Sequence, residues 1–194
     1  MCESCEVGLW EEEQICPVCG RASRHGVRHK YCHKPYSLDG LTCLWAYEGV
    51  ARKIIAKTKY RFYYDMLREL FAGARQARLR DSLVIVPVPL YSKREKWRGF
   101  NQAEMIGKWL AKRENLELKN LLVRVRDTGQ QVGKGKQDRW ANMKGAFKLK
   151  TMSHLPSAVL LVDDVWTSGA TMAECCWVLK KAGVKYVWGW VLAR

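Results

Sequence analysis

Two adjacent carboxylates, Asp163 and Asp164, follow the apolar run Val159-Leu160-Leu161-Val162, and a hydroxyl-rich turn, Thr167-Ser168-Gly169-Ala170-Thr171, comes shortly after them. The apolar run predicts a buried parallel strand over 159–162, delivering the acids to its carboxyl end, where open α/β sheets bind ligands. The turn predicts a helix start over 170–181. Its free N–H groups, three hydroxyls and helix dipole suit a phosphate. Carboxylates cannot hold that same phosphate, so sugar-type hydroxyls or a Mg²⁺-bound group are their natural targets.

A second set of reactive residues opens the chain. Cys2, Cys5, Cys16 and Cys19 are spaced C-x2-C-x10-C-x2-C. Each pair can fold as a knuckle offering two thiolates, and two knuckles make a tetrahedral Zn²⁺ site. Disulfides or a redox pair fit less well, because no strand–helix context surrounds these cysteines. Cys175 and Cys176 fall in a helical pattern and are read as core residues. Cys32, beside His33, reads as loop filler in preference to the relic of another knuckle, and His25, His29 and His33 read as surface residues near the zinc segment.

The elements that must position these groups follow from periodicity and punctuation. With 194 residues, 48% hydrophobic and 27% charged, the chain is neither disordered nor collagen-like. No apolar run approaches the roughly 18 residues of a membrane span, and no signal peptide is expected, so the reading is a cytoplasmic protein that is not a membrane protein. Residues 1–35 are too loop-rich to bury a core, so metal must supply their folding energy. Residues 36–194 form the second unit, with 36–80 as a basic helical lead-in containing helices over 49–57 and 65–79. Strands are expected over 82–88, 121–125 and 184–192, and a loop over 126–139. A helix over 101–113 carries Asn101 as N-cap with Glu104 completing a capping box. Strands alternating with helices give an α/β fold with a parallel sheet.

Thirty-four Lys and Arg against 19 Asp and Glu leave a formal charge of +15, which implies an anionic partner such as nucleic acid or a phosphorylated substrate. Trp97 and Trp140, each beside arginines, could stack bases, although core or hinge packing is the commoner fate of tryptophan. The Gly129-x3-Gly133-Lys134-Gly135 run is one residue short of a Walker A loop and lacks Ser or Thr after the lysine, which excludes a P-loop nucleotidase.

Residues 159–171 resemble the phosphoribosyl pyrophosphate (PRPP) motif of type I phosphoribosyltransferases. Val86-Pro87-Val88-Pro89, Arg98-Gly99-Phe100-Asn101-Gln102, Thr128-x2-Gln131, Arg139-x2-Asn142 and Ala146-Phe147, together with the paired CxxC motifs and Lys59-Tyr60, resemble the ComF family of competence-associated proteins. The resemblance covers nearly the whole chain. It implies a zinc-binding segment before a type I phosphoribosyltransferase fold, with Asp163 and Asp164 on the ribose hydroxyls. Thr167, Ser168, Gly169, Ala170 and Thr171 then hold the 5′-phosphate. Pro87 and Val88 belong to a pyrophosphate loop, with Lys93, Arg94 and Arg98 neutralising phosphates and Mg²⁺ accompanying the diphosphate. It further implies a lid over 130–137, a role in DNA uptake, single-stranded DNA as a partner and contact with uptake proteins at the inner membrane. The alternative is a non-catalytic single-stranded-DNA-binding factor that keeps the PRPP pocket as a sensor. Lys134 stands where the family often has Leu.

Overall fold

A computed structural model describes residues 13–57, 83–129, 136–151 and 154–194. The expected helix over 65–79 and Lys59-Tyr60 lie outside the described residues. The strands are β1 (Gly40–Trp45), β2 (Val84–Pro87), β3 (Leu122–Arg124), β4 (Phe147–Leu149), β5 (Ala158–Val165) and β6 (Tyr186–Ala193). The helices are α1 (Gly49–Lys57), α2 (Ser92–Arg98), α3 (Gln102–Glu114), α4 (Lys136–Met143) and α5 (Ala170–Lys181).

The main sheet has the order β1-β6-β5-β2, and every pairing in it is parallel. The second sheet is the antiparallel pair β3-β4. β5 is the hub. Val159, Leu160, Leu161 and Val162 are fully buried, and their side chains alternate between the two faces of the sheet. Val159 and Leu161 join a cluster with Met172, Cys175, Cys176 and Leu179 of α5, while Leu160 and Val162 join one with Ile54 and Ile55 of α1 and Ile106 and Leu110 of α3. A sheet covered on both faces needs continuously apolar strands, which is why the 159–162 run is unbroken.

The acids are not in the turn that follows the strand. β5 extends to Val165, so Asp163 and Asp164 are strand residues, with Asp163 paired to Val191 of β6. Pro87 is tolerated because it ends β2, an outer strand of the sheet. The capping of α3 is as read: Asn101 accepts from the Ala103 N–H at 3.0 Å, and its amide also donates to the Val88 carbonyl. Glu104 instead pairs with Lys108 at 2.8 Å, one turn along.

Two expectations need correcting. Residues 92–98, which carry the Lys93, Arg94 and Arg98 expected with the pyrophosphate loop, form the helix α2, which buries no residue and so offers no apolar period to detect. The expected loop over 126–139 gives way to α4 from Lys136.

The segment before β1 is fastened to the sheet by Asp39. Its carboxylate accepts from the Val187 N–H at 2.8 Å and meets Lys180 of α5 at 2.7 Å and Arg28 at 3.4 Å. The Asp39 N–H also donates to the Val187 carbonyl. Asp39→Ala leaves a partly buried ammonium and a backbone N–H unpaired. It should cost about 2–3 kcal/mol, because hydrogen bonds to charged groups are the strong ones. Thermal unfolding checks this, and an unchanged melting temperature refutes the fastening role.

Candidate functional site

β5, α3 and the loop before α2 enclose a cleft of about 720 Å³ at the carboxyl ends of the strands. Asp163 and Asp164 lie at its base, Thr167 and Thr171 on the side where α5 begins, and Val88 and Pro89 at the end of β2. Arg94 and Arg98 of α2 and Arg124 of β3 supply positive charge, and Tyr47 and Trp97 supply aromatic walls.

Of the residues singled out in the sequence, Val88, Arg98, Asp163, Asp164, Thr167 and Thr171 therefore border one cleft. Pro87 is buried behind it. Ser168, Gly169 and Ala170 build the turn between Thr167 and Thr171 and do not themselves border the cleft. Gly169 is required there. It sits at φ 75, and a Cβ would lie 2.4 Å from the Trp166 ring. Ser168 Oγ accepts from the Ala170 N–H at 3.4 Å, opening α5.

Each carboxylate uses one oxygen locally. Asp163 accepts from the Asp164 N–H and Asp164 from the Val165 N–H, both at 2.8 Å. The remaining oxygens fit hydroxyl donors or a hydrated cation. Burial, and then the neighbouring Asp164 charge, raise the Asp163 pKa well above the usual carboxylate range, while Arg124 pulls it the other way. Two adjacent, partly exposed carboxylates bordering a cleft suit a ligand that neutralises them.

Arg124 was not marked in the sequence. It donates to the Thr128 hydroxyl, its guanidinium lies 5.4 Å from the Phe147 ring centroid, and its buried Nε has no hydrogen-bond partner. A charged residue ending the short apolar strand 121–125 was the available signal. Thr128 in turn is held by Asn142, whose amide donates to its carbonyl at 2.7 Å, so the Thr128 and Asn142 motifs meet. Trp97 is 77% exposed at the mouth of the cleft and Trp140 is 38% exposed, so neither is a core residue.

The second site gathers Cys16, Cys19, His29 and Cys32, whose ligand atoms all lie within 4.8 Å of one another. A tetrahedral zinc site with Zn–S bonds of about 2.3 Å has ligand–ligand edges of about 3.8 Å, so a small contraction closes this cluster on an ion. The His29 Nε2 lies 3.1 Å from the Ala22 carbonyl and its Nδ1 faces Cys19 Sγ at 3.4 Å. With Nε2–H donating to Ala22, Nδ1 is left as the ligand atom, the outer hydrogen bond fixing the ring. Burial, and then the Cys19 and Cys16 sulfurs, push the Cys32 thiol up to about 11. Burial also works against the Cys16 thiolate, but N–H groups of Cys19, His29 and Val18 outweigh it and lower that pKa. A cation among these sulfurs removes the conflict.

This revises two readings: Cys32 is not loop filler and His29 is not an unengaged surface histidine. Cys16 and Cys19 fall where expected, while Cys2 and Cys5 lie outside the described residues. The missed signal was the His29-x2-Cys32 spacing, a knuckle with a histidine in place of its first cysteine. Cys175 and Cys176 are buried in the core as expected, and burial holds the Cys176 thiol at about 12. No helix among the described residues is long and apolar enough to cross a membrane.

Comparison with known proteins agrees along the whole chain. It is 32% identical over 207 residues to Competence protein F of Haemophilus influenzae, covering all of this chain and 90% of that protein. It is 28% identical over 213 residues to the DNA utilization protein YhgH of Escherichia coli K12, with the same coverages. It is 27% identical over 209 residues to Competence protein ComFC of Bacillus subtilis, covering all of this chain and 84% of that protein. No family model matches the chain.

Two outcomes are expected. The purified protein carries about one Zn²⁺ per chain. His29→Ala with Cys32→Ser abolishes it, whereas Cys2→Ser with Cys5→Ser leaves it in place. Metal analysis decides, and zinc retained without His29 and Cys32 refutes the cluster as a metal centre. Second, a carboxyl whose folded pKa is raised destabilises the fold once it ionises, so the penalty is present above that pKa and vanishes below the unfolded value near 4. Asp163→Asn should therefore melt higher than wild type at neutral pH, with the gain shrinking as pH falls. A lower melting temperature at neutral pH would show the ionised acid to be stabilising.

Proposed function

We propose, from the premise that the chain belongs to the ComF family of competence-associated proteins, that it serves in DNA uptake and utilisation through a cleft that binds PRPP. The acid pair at the end of a central parallel strand, followed by a hydroxyl turn into α5, is the single observation that carries this reading. In it, Asp163 and Asp164 accept hydrogen bonds from the two ribose hydroxyls, and Thr167 to Thr171 receive the 5′-phosphate at the N-terminus of α5. Val88 and Pro89 give the diphosphate a backbone floor, and Arg94, Arg98 and Arg124 face it with guanidinium charge. Mg²⁺ bound with the diphosphate supplies charge neutralisation to the leaving group. The parallel sheet with its antiparallel flap is read as a type I phosphoribosyltransferase fold, preceded by the zinc-binding unit of residues 1–35.

The reaction assigned to this cleft is phosphoribosyl transfer. The C1′–oxygen bond to pyrophosphate breaks as an acceptor's lone pair bonds to C1′, and the acceptor gives up a proton. Asp163 and Asp164 hold the ribose and oppose the positive charge that grows on its ring, a stabilisation made in the transition state.

A second reading stands beside it. The formal charge of +15 and a similar protein named for DNA utilization support a factor that binds single-stranded DNA and uses the cleft as a PRPP sensor. Calorimetric titration of PRPP with Mg²⁺, followed by measurement of pyrophosphate release with bases, amines and DNA, tests both. Wild type binds PRPP, and Asp163→Asn with Asp164→Asn weakens it about tenfold or more, since hydrogen bonds to charged groups are worth about 1.5–3 kcal/mol each. Equal affinity in that variant refutes the cleft reading. Binding without pyrophosphate release from any acceptor selects the sensor.

A further inference from the structure

We infer that the turn at residues 34–36, with Trp140 of α4 and Trp177 of α5, is a stacking platform for single-stranded DNA; this rests on the single-strand reading above and assigns it a surface. Tyr36, Trp140 and Trp177 are 46%, 38% and 40% exposed. They are joined, not scattered. Lys34 Nζ lies 4.6 Å from the centroid of the Trp140 ring, and Tyr36 meets Trp177 edge-on with ring centroids 6.5 Å apart. Lys181 Nζ lies 4.6 Å from the Trp177 ring. One short turn thus touches both tryptophans, and the segment that carries the metal cluster, α4 and α5 share a face.

The turn is held for this. Tyr36 has φ 56, a left-handed conformation that bulky side chains rarely adopt, so the surrounding structure keeps its backbone out of the preferred basin. A strained backbone presenting an exposed aromatic ring points to a role at the surface.

Charge selects the occupant. Both groups laid on the indole rings are ammonium ions, and the nearest acid on α5, Glu174, is turned aside to accept from the Gly145 N–H at 2.7 Å. Aromatic faces alternating with cations match a strand of alternating bases and phosphates. Any base can stack on a π-face, and the lysines, held near the rings by cation–π attraction, are in place to pair with phosphates. A duplex hides its base faces and gains only the charge.

The test is fluorescence anisotropy with a labelled oligothymidylate of about 12 nucleotides, within the range of about 4–16 that one such groove spans. Wild type binds it more tightly than a duplex of equal length. Trp140→Ala and Trp177→Ala each weaken binding about five- to a hundredfold with zinc content and melting temperature retained, and Trp140→Phe restores most of the loss. Lys34→Ala and Lys181→Ala each lower the slope of log affinity against log salt by about 0.7. If wild type fails to bind the oligonucleotide at low salt, the single-strand reading falls and the platform with it. If wild type binds but the tryptophan variants bind equally well, the platform alone is overturned. Equal affinity for duplex and single strand refutes stacking as its basis.

Discussion

The desolvation of Asp163 is the constraint around which the rest of this protein is arranged. An ionised carboxyl beside a second carboxyl, at the end of a strand with four fully buried residues, is unfavourable by itself. The fold keeps it there by locking β5 between two parallel partners and burying both faces of the sheet. Arg124 supplies the nearest relief, and its position depends in turn on the β3-β4 pair and the Phe147 ring beneath its guanidinium. The cleft is bordered by that acid pair on one strand and by Arg94, Arg98 and Arg124 from two other elements.

The two candidate centres are built on opposite principles yet share one scaffold. In the cleft, like charges are crowded in rigid secondary structure. In the cysteine cluster, thiols are crowded by turns, and the group could hold an ion that reconciles them. Asp39 links the two, since its carboxylate touches Arg28 from the cysteine-bearing segment and Lys180 from the helix that begins at the hydroxyl turn. α5 therefore has its N-terminus at one centre and its C-terminal turn tied to the other.

What could be read from the sequence was what repeats. The runs at 159–162 and 170–181 announce a buried strand and an amphipathic helix through composition and period, and Asn101 announces α3 through capping chemistry. α2 was invisible because Ser92 to Arg98 is polar with one exposed tryptophan, so nothing in its pattern distinguishes a surface helix from a loop. The length of β5 was underestimated because Asp is disfavoured in strands; here tertiary pairing with β6 overrides that preference. The partners of Cys16 and Cys19 were beyond reach for another reason. Ligand choice is decided by how the chain folds back, and the CxxC spacing at 2 and 5 is as good a local pattern as His29-x2-Cys32. Membership of one cleft by Arg94, Arg98 and Arg124 is likewise a property of three separate elements.

β1 hydrogen-bonds to β6, and the pairing closes with Trp45 opposite Ala193 while the Tyr47 N–H donates to the Arg194 carbonyl. Among the described residues, β1 thus has β6, far along the chain, as its only strand partner. The candidate metal cluster spans only residues 16–32, so it can close as soon as that segment has been made. β1, which follows it, must wait for its partner until β6 emerges. Loops this long are slow to close, and an exposed apolar strand is an aggregation hazard while it waits. The β1-β6 pairing therefore forms late, and β1 is most vulnerable before it does.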